Sequence, residues 1–167
     1  MVDYSTIFFY TKVGDSMIEE YLNQDINNPK YLFHGSPKLL SKLEPRLSHD
    51  SDGNINNIAE AIFLFPSFLK CTPYAFKDTI KSMSSDLDWN FDIPNGLEEP
   101  FMSMKNVRVD EDIIGYIYVF IKDDNMYKDS DTYQYKCYKE LVPYDIVPVK
   151  YKDYKYLFEV ENIVKIL

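Results

Sequence analysis

The stretch Tyr31-Leu32-Phe33-His34-Gly35-Ser36 decides how the rest of the chain reads. Lys30 to His34 is rich in aromatics, which suit a pleated, half-buried surface, and predicts a short strand that breaks at Gly35. A glycine there lets a ligand approach the backbone closely. The Gly35 N–H and the Ser36 Oγ could both hydrogen-bond a planar amide. His34 is one of only two histidines, with His49, and neither belongs to a Ser-His-Asp order or a metal-ligand cluster.

Upstream, Gly14-Asp15-Ser16 followed by Met17, Ile18, Tyr21 and Leu22 predicts a capped helix with one apolar stripe. It should stop near Asn27-Asn28-Pro29, because proline disfavours helix in the residue before it. Residues 1–30 thus read as an N-terminal helical extension of a single domain, 1–167.

Downstream, polar Ser48 to Asn57 predicts a surface loop. Its Asp50-Ser51-Asp52-Gly53-Asn54 opens like a calcium loop. Counting from Asp50, however, Ile55 and Ala61 stand where glycine and glutamate are needed, so no metal is expected. Ala61 to Phe65 reads as a buried strand. Thr72-Pro73 then looks like an N-cap with proline at the first helical position, and Tyr74, Phe76, Ile80 and Met83 carry a helix to about Ser84. Asp86 to Asp112 is acidic, rich in turn residues and gives no clear pattern.

Ile114 to Ile121 predicts one long strand, with Lys122-Asp123-Asp124-Asn125 as a turn. Thr132 to Tyr138 alternates tyrosine with polar residues at the two-residue period of a half-exposed strand. Leu141 to Val149 reads as a strand interrupted by Pro143 and Pro148, which suits an edge. Tyr156 to Leu167 should form a final strand or a short helix. Helices early and strands late predict an α+β domain with a mostly antiparallel or mixed sheet.

A chain of 167 residues, 46% hydrophobic and 16% aromatic, can bury one substantial core. Eighteen basic against 27 acidic residues give a formal charge of −9. That field disfavours long nucleic acid, which needs clustered cations for its phosphates, and anionic membranes likewise. A local basic pocket stays open. Cys71 and Cys137 have no metal-ligand spacing and read as two thiols in a reducing cytoplasm. Ile7-Phe8-Phe9-Tyr10 is too short an apolar run to cross a bilayer, so a cytoplasmic location is expected.

Three features carry chemistry together. Beyond the His-Gly-Ser segment, Phe63 ends a strand and Tyr74 follows eleven residues later, near a predicted helix start. Two such aromatics could wall a slot for a flat ring. Glu140, in Tyr138-Lys139-Glu140-Leu141-Val142, falls between two late strands. In a pocket it could hold a ribose hydroxyl and stabilise positive charge as a glycosidic bond breaks.

Aromatic-His-Gly-Ser, a strand aromatic with a second one eleven residues on, and a late glutamate resemble the His–Tyr–Glu branch of the ADP-ribosyltransferase superfamily. Diphtheria toxin and the poly(ADP-ribose) polymerases belong to it. The chain is most similar to small bacterial proteins of this type, over Leu32 to Pro45, the Ile62 strand, Gly115 to Val119, Glu140 to Val142 and Val147 to Val149.

The resemblance implies a split mixed or antiparallel sheet with a few peripheral helices, and NAD as substrate without a metal. His34 would bind the adenosine ribose. Gly35 and Ser36 would grip the nicotinamide amide, and Tyr74 would stack on the ring. Glu140 would hold the nicotinamide ribose 2′-OH and stabilise the oxocarbenium-like state. Arg46 is a candidate for the diphosphate, since a guanidinium pairs bidentately with phosphate. The acceptor of ADP-ribose, whether protein, nucleic acid, small molecule or water, is not implied.

Phe63 stands where the family has tyrosine. The missing hydroxyl removes a hydrogen bond worth about 0.5–1.5 kcal/mol. An NAD- or ADP-ribose-binding domain without turnover is therefore the alternative. RNA 2′-phosphotransfer fits poorly with so acidic a chain.

Overall fold

The computed structural model describes residues 14–47, 60–94, 96, 98–130 and 132–166. Helix α1 (Gly14–Asn23) leads into strands β1 (Tyr31–Ser36), β2 (Arg46–Leu47) and β3 (Glu60–Leu64). Two helices follow, α2 (Phe68–Cys71) and α3 (Tyr74–Met83), then β4 (Asn90–Asp92) and β5 (Met102–Val107). The later chain is mostly strand: β6 (Ile114–Ile121), β7 (Met126–Lys128), β8 (Tyr135–Cys137) and β9 (Asp145–Lys150). The short helix α4 (Tyr151–Tyr154) and a 3-10 turn at Lys155–Leu157 lead to β10 (Phe158–Ile163).

The class is α+β, with three small sheets in the orders β1-β6-β9, β2-β3-β8-β7 and β10-β5-β4. The described strand pairs are antiparallel except β5 with β10, which run parallel.

The apolar run of β6 has a direct cause: both faces of this central strand are covered. Ile117 and Val119 join Phe33, Val147 and Val149 in a core beneath α1, α2 and α3. Tyr118 and Phe120 point the other way, into a second core with Leu32, Ile62, Leu64 and Cys137. Strands buried on both faces read as continuous apolar sequence rather than as alternation.

Two glycines set how closely the helices sit on this sheet. A Cβ on Gly35 would stand 2.7 Å from the Cys71 carbonyl oxygen and 2.8 Å from the Ala75 nitrogen. One on Gly115 would collide with the Ala75 carbonyl and lie 2.7 Å from the Ala75 Cβ. Gly35 therefore does not break β1 as expected. The strand runs through it to Ser36, with Gly35 opposite Ile117 of β6, and the glycine is there to admit helix backbone.

The N-terminal helix ends at Asn23, before the asparagine-proline stop, because the next residue has other partners. The Gln24 side chain accepts from the Tyr31 N–H at 3.0 Å and donates to the Tyr31 and Pro66 carbonyls at 2.8 and 2.6 Å. Tyr21 is buried in the core and its hydroxyl donates to Asp145 Oδ2 at 2.7 Å. Helix α1 is thus fastened to β1, to the end of β3 and to β9.

Thr72 does not cap α3. Its Oγ1 donates to the Phe68 carbonyl at 2.8 Å, closing α2, whose own N-cap is Ser67. Strand β8 is shorter than its alternating pattern predicts. Leu141 makes only a bridge to Leu43, and β9 begins at Asp145, beyond Pro143. Pro148 fits inside β9 because that strand is a sheet edge.

The Asp86–Asp112 stretch holds β4 and β5, and buried Lys70 fastens it by donating to the Pro94 carbonyl at 3.2 Å and to that of Gly96. The chain end is the strand β10 rather than a helix. Cys71 and Cys137 are buried free thiols. Among the described residues, no helix is long and apolar enough to cross a membrane. His49, the Ser48–Asn57 stretch and Ile7–Tyr10 lie outside the described residues.

Candidate functional site

Strands β1 and β3 meet at one described bridge, where Phe33 and Phe65 exchange two backbone hydrogen bonds of 2.8 Å. One residue further along β1, a side chain takes the place of the ladder: His34 Nδ1 lies 2.8 Å from the Phe63 carbonyl oxygen. A carbonyl only accepts, so Nδ1 carries the hydrogen and Nε2 is left as the acceptor. Burial lowers the His34 pKa, partly offset by the Phe63 bond, and the nearby Arg46 charge lowers it further. Above its lowered pKa the ring is neutral, with its hydrogen on Nδ1 and Nε2 free to accept.

The His34 ring packs edge-on against Tyr118, 6.4 Å between centroids. The Tyr118 hydroxyl, in turn, accepts from the Leu40 N–H and donates to the Lys38 carbonyl. Ser36 Oγ accepts from the Lys38 N–H at 3.2 Å. The turn that follows β1 is thereby pinned to the sheet beneath it.

On the opposite face, Gly35 lies against α2 and the start of α3. The Tyr74 Cβ is 3.1 Å from where a Gly35 Cβ would stand. The Gly35 amide also hydrogen-bonds the Cys71 thiol, holding back the upward pKa shift that burial imposes. Tyr74 packs on Phe65, with ring centroids 5.0 Å apart at 34°, and Lys77 Nζ sits 5.2 Å from its ring. Phe63 lies two residues before Phe65, beneath Lys136 Nζ at 5.7 Å. Lys136 is itself paired with largely buried Asp129 at 3.4 Å.

The expected site residues thus fall into two groups. His34 is joined to Phe63, with exposed Arg46 near enough to act on it, while Gly35 and Tyr74 meet on the opposite, helix-covered face of β1. The described aromatic partner of Tyr74 is Phe65 rather than Phe63. Glu140 has a different described partner. Its Oε2 accepts from Lys42 Nζ at 3.0 Å, and its side chain is 48% exposed.

Phe65, Lys136 with Asp129, and Lys42 carry no motif in the sequence. Only strand register could have flagged Lys136, which lies directly opposite Phe63. Among the described residues, no group of three or more His, Cys, Asp or Glu could hold a metal ion. Against family models, curated proteins and solved structures, the chain gives no match.

Proposed function

We propose that the end of β1 and the neighbouring part of β3 form an NAD pocket in a split-sheet domain of the ADP-ribosyltransferase type, which releases nicotinamide. The observation that carries this reading is the neutral His34, locked by the Phe63 carbonyl with Nε2 as acceptor and with the Arg46 guanidinium nearby. An acceptor nitrogen suits a ribose hydroxyl, and a guanidinium suits a diphosphate. Tyr74, beside Gly35 on the opposite face of β1, would reach nicotinamide around the end of the strand.

In the reaction, the bond from ribose C1′ to the nicotinamide nitrogen breaks and its electron pair leaves with nicotinamide. Glu140 accepts from the ribose 2′-OH and stabilises the positive ring. The acceptor oxygen or nitrogen, water included, then bonds to C1′ and gives up its proton.

A second reading, binding of NAD or ADP-ribose without turnover, is favoured by Phe63 standing in place of tyrosine, with the Lys136 ammonium over its ring. Incubation with NAD separates the two. Nicotinamide release by the wild type, lowered about 10²- to 10³-fold in Glu140→Gln, supports the enzyme. Calorimetric binding without release supports the silent domain. A chain that binds neither NAD nor ADP-ribose rejects both.

A further inference from the structure

We propose that Lys42 is the positioning residue for Glu140 and screens it from Glu44 across the bridge; this rests on the proposed role of Glu140. Leu43 and Leu141 form an isolated antiparallel bridge, with backbone hydrogen bonds of 2.8 and 2.9 Å in the two directions. Leu43 is buried in the second core and Leu141 packs against it. Alternation across that bridge sends their neighbours to the other side, and the register sets Glu44 opposite Glu140. Lys42, Glu44 and Glu140 are accordingly about half exposed.

Lys42 Nζ serves both carboxylates, at 3.0 Å from Glu140 Oε2 and 3.5 Å from Glu44 Oε1. An ammonium has three donors and no acceptor, so it can hold both at once. Holding Oε2 leaves Glu140 Oε1 with its lone pairs for a ribose hydroxyl. The backbone bridge fixes where the side chains start, and the ammonium tethers Glu140 Oε2. Without that cation, two like charges face each other across the bridge and repel. The Glu140 carboxylate then turns away from Glu44 and out of its working orientation.

That arrangement makes a suppressor test possible. Lys42→Met should lower the kcat for nicotinamide release about tenfold with KM for NAD unchanged, since orientation rather than binding is lost. Lys42→Arg should retain most of the rate. Adding Glu44→Gln to Lys42→Met should recover part of the loss, because it removes the repulsion. Unfolding midpoints check that all variants fold.

Wild-type kcat in Lys42→Met, a rise in KM alone, or a loss that Glu44→Gln does not relieve overturns the proposal while leaving the NAD reading intact. Absence of nicotinamide release from the wild type overturns the enzyme reading and this proposal with it. That outcome is visible before any substitution is made.

Discussion

The His34 end of β1 and the Glu140 segment are built by opposite means. His34 is partly buried, with its Nδ1 held by a backbone carbonyl and its neighbour Gly35 pressed against helix backbone. Glu140 stands half in solvent, oriented by one lysine that a second glutamate shares. Enclosed groups are fixed by packing, so changing one disturbs the fold. An exposed ion pair contributes little to stability and can be altered while the fold stays intact. A site joining the two would combine a rigid binding end with an adjustable reacting end.

The sharpest way to break the contrast is at the glycines. Gly115→Ala, whose Cβ meets Ala75 backbone, should cost about 3 kcal/mol in urea unfolding. Gly35→Ala, whose Cβ meets the Cys71 oxygen and Ala75 nitrogen, should follow closely. If either leaves the unfolding midpoint unmoved, the close helix approach is wrong.

Next is His34→Ala, which strips the Phe63 carbonyl of its donor. Leaving that acceptor unmet should cost about 1–3 kcal/mol. A smaller loss than for an exposed-residue control would argue against enclosure.

A pH series sharpens the same point. His34 has a folded pKa below its ordinary 6.5, so folding resists its protonation. Its contribution is fully present above pH 6.5 and declines as pH falls from there toward the folded value, because the unfolded chain takes up a proton that the folded one resists. The difference in unfolding free energy between wild type and His34→Asn should therefore shrink between pH 7.5 and 5.5. A difference constant across that window contradicts the lowered pKa.

The smallest effect belongs to the exposed end. Glu140→Gln and Lys42→Met should leave the melting midpoint within error of the wild type. A large fall in either would mean that the Leu43–Leu141 clasp depends on its flanking charges.

Much of the fold was legible in the sequence, and for identifiable reasons. β6 is apolar throughout because it lies between two cores, and the turn after it is marked by Asp123, whose side chain accepts from the Asn125 N–H at 2.8 Å. β8 has only three paired residues although the alternating tyrosine pattern continues past them, because alternation marks a strand without fixing where pairing stops. β4 is three residues with no buried side chain, and β5, although Met102 and Met104 alternate with Ser103 and Lys105, is a short run set among turn residues. For the candidate site, His34, Gly35 and Tyr74 could be picked out as residues, but their partners could not.

Sequence by itself determined the α+β class and the places, though not the ends, of β1, β3, β6 and α3. Those features follow from local periodicity and from side-chain shape, which neighbours along the chain reveal. Tertiary structure decided that Gly35 admits a helix, that His34 replaces a ladder bond at the Phe63 carbonyl, and that Glu140 answers to Lys42. The last two join residues 29 and 98 positions apart. Partners so distant are chosen by how sheets pack and where strands diverge, which no local pattern encodes.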